Sequence, residues 1–183
     1  MKKANLGKEF ELRICNSLSD PSINFDIERI PDPLGGYIGQ RNICDYTGYR
    51  FPFNYYLECK SKYGNTLNFK SDITEDQWKG LTEKSEVYGT LAGFCVWFID
   101  YDRTVFVSIQ EMNRLRIIEG KKSLNIADIF NNKLDSTRYF DIDGTKAKKY
   151  FNYNSEYFMS NLENMVKDIW NIQDWNVIND GQN

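Results

Sequence analysis

The stretch "NYYLECKSK", residues 54–62, sets two opposite charges, Glu58 and Lys60, two positions apart among tyrosines, a leucine and a cysteine. An extended strand alternates its side chains, so Tyr56, Glu58 and Lys60 share one face while Leu57 and Cys59 share the other. Two readings are open. Either the charged face meets water as an ordinary ion pair, or a largely buried strand holds an acid and an ammonium for a purpose, since burying either charge unpaired is costly. Thirteen positions upstream, "ICDYTGY" (43–49) follows an apolar pair with Asp45 and then a Tyr-Thr-Gly turn. Joined through "RFPF" (50–53), the two segments read as a hairpin with a ragged connection, which brings Asp45 next to Glu58. Two neighbouring carboxylates repel, and a hard cation relieves the repulsion. Mg²⁺ takes one or two carboxylates, with water and substrate phosphate completing its octahedron.

Working outward, "NLGKEFELRICNSLS" repeats Leu6, Phe10, Ile14 and Leu18 every fourth residue, a helix entered through Asn5 as cap. Glu11 lies about 100° round from Phe10, at the border of the buried face. "NFDIERI" (24–30) alternates as a strand and ends in the turn-rich "PDPLGG". "NTLNFKSD" is extended or looped. "TEDQWKGLTEKSE" is helical from Thr74, where Thr-x-x-Gln forms a capping box with Gln77. "TLAGFCVWFIDY" and "RTVFVSIQEM" are strongly apolar strands, and "IQEMNRLRIIEGKKSLNIADIFN" mixes a helical turn, a basic loop and a short helix. Residues 131–154 show no clear period. "SEYFMSNLENMVKDIWNIQDW" spaces Phe158, Leu162, Met165, Val166 and Ile169 as one apolar helix face, for core packing or for a partner. This order predicts an α/β fold with a mixed β-sheet flanked by helices and a C-terminal amphipathic helix. We expect one domain over 1–183, a motif-bearing core about 5–130 and a C-terminal extension, 131–183, of no evident role.

The chain's 183 residues can bury one sizeable core, and no apolar run reaches the length of a membrane span. "MKKANLGKEF" becomes charged too early for a signal peptide, so a soluble, cytoplasmic protein with no membrane partner is expected. The four cysteines (Cys15, Cys44, Cys59, Cys95) form no C-x-x-C pair and sit among apolar neighbours, which predicts buried free thiols. There is no histidine. That excludes Ser-His-Asp and Cys-His catalysis and His-ligated zinc, and leaves carboxylates, lysine, hydroxyls, thiols or a borrowed metal. A net charge of −3 argues against a general nucleic-acid binder, unless a divalent ion inverts the local field at an acidic site.

Asp45 followed by Glu58-x-Lys60, with Glu11 on the first helix, resembles the PD-(D/E)XK nuclease superfamily. More narrowly, the chain is similar to RecU-type Holliday-junction resolvases, including phage members, over about residues 5–130. The likeness runs through "GKEFE", "CDYTGY", "LECKSK", a phenylalanine-containing loop with the Gln77 helix in "NTLNFKSDITEDQWKGL", and "GKKSLNIADI". It implies a restriction-endonuclease-like fold. It also implies a Mg²⁺ site (Mn²⁺ in its place) at Asp45, Glu58 and the Cys59 carbonyl, with Glu11 reaching the ion through water. Lys60 would be the catalytic lysine, and Gln77 would position substrate or support Lys60, beside the plainer reading of Gln77 as a helix cap. For Glu11 the plainer reading is a solvated acid at the helix edge. The implied partner is branched, four-way DNA, cut symmetrically by a homodimer to leave 5′-phosphates, with no nucleotide cofactor. Arg41, Lys62, Lys70, Lys121 and Lys122 are candidate phosphate contacts, against the plainer reading of each as a solvated cation. The chain departs from the family's pattern at Cys44, which replaces the motif's proline, and in "PDPLGGYIGQRN", a stub where the family projects a stalk. Only Lys2 and Lys3 stand where the family has a basic arm. The literal Pro-Asp of "IPDP" lies in a turn too far from Glu58 to serve. The alternatives are another endonuclease on the same core (flap-cutting, nicking or restriction-like) or a non-catalytic DNA-binding module.

Overall fold

The structure is a computed structural model that describes residues 5–31, 42–142 and 152–172. Arg41 and most of the expected stalk stub lie outside the described residues. Helix α1 (Leu6–Leu18) begins at Asn5, whose side chain accepts from the Lys8 amide. It is followed by strands β1 (Asp26–Arg29), β2 (Tyr46–Arg50) and β3 (Phe53–Lys62), then by the short β4 (Thr66–Asn68). Helix α2 (Glu75–Ser85) starts at Thr74 with the expected capping box to Gln77 fully formed. Next come β5 (Thr90–Phe98), β6 (Arg103–Ser108), α3 (Ile109–Asn113) and a π-helical turn (Arg114–Ile118). The order closes with β7 (Ser123–Asn125), α4 (Ile126–Phe130), β8 (Tyr139–Asp141) and α5 (Ser155–Trp170).

Six strands form one mixed sheet in the order β1-β2-β3-β5-β6-β8, and β4 and β7 make a separate two-stranded ribbon. Only β3 and β5 run parallel, joined by the crossover through α2; the other neighbours are antiparallel. Every residue of β5 is buried because both of its faces are covered. Leu91, Cys95 and Trp97 join Tyr55, Leu57 and Cys59 of β3 against α1 and α5, while Ala92, Phe94, Val96 and Phe98 face α2, α3 and α4. Gly93 has no room for a side chain: a Cβ there would stand 2.5 Å from the Val107 carbonyl and 2.6 Å from the Phe106 ring. The architecture is the expected α/β one, a mixed sheet flanked by helices with a C-terminal amphipathic helix.

Two parts of the region beyond 130 join this core. Phe140 of β8 is buried at the sheet edge, and α5 buries Phe158, Met159, Leu162, Met165 and Val166 in the same cluster as Phe10 and Ile14 of α1. Core packing is therefore the reading of this helix that holds. Leu162 is fully buried, so Leu162→Ala is expected to lower unfolding free energy by about 2–5 kcal/mol in chemical denaturation. A midpoint equal to wild type would show that the helix is dispensable.

Candidate active site

Antiparallel register sets Tyr46 of β2 opposite Leu57 of β3, so Asp45, one residue before β2, comes level with Glu58. Asp45 is held by its own backbone on two sides: its N–H donates to the Leu57 carbonyl at 3.2 Å and its carbonyl accepts from Ile30 N–H at 2.8 Å. Its Oδ2 accepts from the Cys59 N–H at 2.8 Å. Cys44, standing where a proline was expected, is buried, and its thiol donates to the Tyr46 carbonyl at 3.3 Å. Burial, with the charges of Glu58 and Asp45 behind it, pushes that thiol up to about 12, so it stays protonated.

The acid and the ammonium of "LECK" are not on a solvated face. Glu58 is only 2% exposed. Its Oε1 is 2.8 Å from Lys60 Nζ and accepts from Gln77 Nε2 at 2.5 Å, whereas Oε2 is buried with no hydrogen-bond partner. Burial first, and Asp45 second, push Glu58 up to about 8 against the opposing pull of Lys60. Asp45 is raised as well, by burial, with the Cys59 N–H and Lys60 working the other way. Burial and their mutual repulsion disfavour charge on both carboxyls at once.

The Gln77 side chain both caps α2 and contacts Lys60. Its Oε1 accepts from Thr74 N–H at 3.1 Å, completing the cap, and from Lys60 Nζ at 3.2 Å. Cys59 divides its groups between the two faces. The thiol packs in the α1 side of the core, and burial holds it well above its ordinary value. The N–H and C=O of one strand residue leave the same edge; since this N–H meets Asp45, the carbonyl is also on the Asp45 side.

Among the described residues no three His, Cys, Asp or Glu side chains converge on a point that could hold an ion. The donor set still fits Mg²⁺, which needs only one or two carboxylates. The buried Glu58 Oε2, which has no hydrogen-bond donor, and the neighbouring Asp45 carboxyl are oxygen donors of the type Mg²⁺ takes. Glu11, on α1, is not shown to join Asp45 and Glu58; its Oε2 lies 3.5 Å from Arg29 Nη2. Arg29, opposite Tyr46 in register, also lowers Asp45 by its charge. Sequence reasoning did not single out Arg29: its nearness to Asp45 comes from pairing across a 16-residue gap, and only the alternation of "DIER" signals its strand.

The candidate phosphate contacts separate into two groups. Lys62 Nζ is 2.7 Å from Asp72, and Lys121 Nζ is 2.9 Å from Asp128 and 3.3 Å from Glu119, so both cations are already compensated. Lys70 and Lys122 are exposed and line, with Phe69, Glu75 and Arg116, a groove of about 520 Å³. Glu75 belongs to the same first turn of α2 as Gln77, so one helix end carries residues of both the groove and the site.

No family model matches the chain, and no curated protein matches it. Among solved structures the chain is similar to Hjc of Archaeoglobus fulgidus, a Holliday junction resolvase from an archaeal hyperthermophile. The two are 18% identical with a TM-score of 0.45, over 67% of this chain and 98% of that one. No helix among the described residues is long and apolar enough to cross a membrane.

Proposed function

We propose that the protein is a Mg²⁺-dependent DNA endonuclease of PD-(D/E)XK type that cuts four-way junctions symmetrically. The observation that carries this reading is the convergence of Asp45, Glu58, Lys60 and Gln77, with one buried oxygen of Glu58 unpartnered. A structural ion pair gains nothing from a second carboxylate pressed against it, whereas a cation site does.

Asp45, Glu58 and the Cys59 carbonyl would hold the ion. When bound, it supplies Lewis-acid polarisation of the scissile phosphate and offsets the charge of the two carboxylates. The chain's own groups do the rest. Glu58, whose proton burial favours, would have to be ionised to serve as a ligand. Lys60, held by Glu58 and Gln77, aims its ammonium at the phosphate, where it orients the attacking water and stabilises charge developing on the phosphoryl oxygens. Two strands must be cut for resolution, which calls for two copies related by a two-fold axis.

The test incubates the protein in Mg²⁺ with a four-way junction, a flap and a linear duplex of shared sequence. Paired symmetric cuts confined to the junction are expected. Equal cutting of all three makes it a general nuclease, and binding without cutting of any makes it a DNA-binding module.

A further inference from the structure

Ile118 and Ile117 are the most exposed large apolar side chains among the described residues, at 79% and 72%. They close the π-helical turn Arg114–Ile118, and that turn is braced rather than loose. Leu115 is buried beneath it. Arg114 reaches the buried Glu111 through two hydrogen bonds of 2.9 and 2.6 Å, pairs with Glu119 and donates to the Lys133 carbonyl. Gly120, at φ +65°, reverses the chain in a conformation that suits glycine, and the Lys121 N–H then returns to the Leu115 carbonyl at 2.9 Å. The two isoleucines are thus held out in water on a fixed knuckle, forgoing the burial that apolar side chains favour.

The knuckle rises from one wall of the groove. Arg116 lies 4.5 Å over the Trp78 ring and 2.8 Å from Glu75, and the Phe69 N–H donates to the Lys122 carbonyl at 2.9 Å, tying the opposite wall to it. Lys121 is neutralised by Glu119 and Asp128, which leaves Lys70 and Lys122 as the cations of the groove without a carboxylate partner among the described residues. A groove that carries Lys70 and Lys122, with Arg116 in its wall and the two exposed isoleucines next in sequence, complements nucleic acid: phosphates for the groove, unstacked base faces for the isoleucines. A branch point presents base pairs that lack a stacking neighbour, so seating an apolar side chain there avoids the unstacking that continuous duplex would require.

We propose that Ile117 and Ile118 form a wedge that seats at the branch point of DNA held in the groove, selecting branched over continuous DNA. This rests on the endonuclease reading above and gives the site its substrate preference.

The test uses the full chain without divalent ion, so that nothing is cut. The wild type and Ile117→Ser/Ile118→Ser are titrated with a four-way junction carrying 2-aminopurine at the branch and with a linear duplex carrying it mid-helix. The wild type is expected to raise the fluorescence of the junction only. The double variant, with an unchanged melting temperature because both positions are exposed, should bind duplex as wild type does. It should lose the fluorescence rise and about tenfold of the junction preference. Retention of both signals by the variant overturns the wedge. So does a shift of the variant from dimer to monomer in sedimentation, which would make the isoleucines a contact between copies. Cleavage in Mg²⁺, scored separately, distinguishes failure of the wedge from failure of the nuclease reading.

Discussion

Lys60→Ala is expected to lower cleavage of branched DNA in Mg²⁺ by roughly 10²–10³-fold, while fold and DNA affinity stay near wild type. The argument concerns what is left behind. Lys60 Nζ touches Glu58 and Gln77. Once the ammonium is gone, Glu58 loses the partner that pulled its proton affinity down, so it stays protonated and keeps its 2.5 Å bond from Gln77 Nε2. No uncompensated charge is stranded, which is why the variant folds. The transition state, by contrast, loses a donor aimed at developing charge. Asp45→Asn should be as inactive, because the amide removes a ligand charge while occupying the same place. Rates on a four-way junction, with circular dichroism and gel-shift binding as controls, decide it. A Lys60→Ala protein cutting at the wild-type rate would remove the lysine from the chemistry.

Glu58→Gln should stabilise the metal-free protein, and by more as pH rises. Glu58 is pushed from an ordinary 4.5 up to about 8 in the fold, so the native state holds a proton that the unfolded chain has released between those values. Its favourable contribution is complete below pH 4.5 and is lost as pH climbs through 8; over that window the wild type loses up to ~1.4 kcal/mol of stability per pH unit from this group. Glutamine carries no such dependence, and its amide can donate to the neighbouring Asp45 carboxyl. By pH 8 the variant should lead by about 4 kcal/mol. Mg²⁺ should reverse the ranking: it raises the wild-type melting temperature more at pH 8 than at pH 6, since binding displaces the proton, and leaves the variant unmoved. Parallel pH profiles for the two proteins, or equal Mg²⁺ shifts in both, would refute the assignment of Glu58 to the ion.

Where a periodic apolar signal was strong, the sequence reading and the structure agree. The every-fourth-residue stripe of α1, the Thr74 box of α2 and the continuous apolar runs of β5 and β6 each imply their local structure and their burial. The meeting of Asp45 with the strand of Glu58 was legible for a different reason: a hairpin carries its own register, so adjacency in sequence becomes adjacency in space. What was not legible depends on distant pairing. β4 and β7 have three residues each and find one another across more than 50 positions. β8 rests on the single buried Phe140 in a polar stretch, and the π-helical turn has no sequence signal of its own. The pairing of Lys62 with Asp72 and of Lys121 with Asp128 likewise depends on turns whose geometry no local pattern announces. Charged residues look alike in sequence whether compensated or not, and only the fold shows Lys70 and Lys122 without a carboxylate partner among the described residues.

The oxygen of Gln77 that caps α2 is also the one that holds Lys60, and the amide nitrogen of the same side chain holds Glu58. Fraying of the first helical turn and disarming of the site are therefore a single event. On the proposed endonuclease reading, the fraction of molecules ready to react would depend on the opening free energy of one helix end, a local quantity that can be far smaller than the stability of the whole fold.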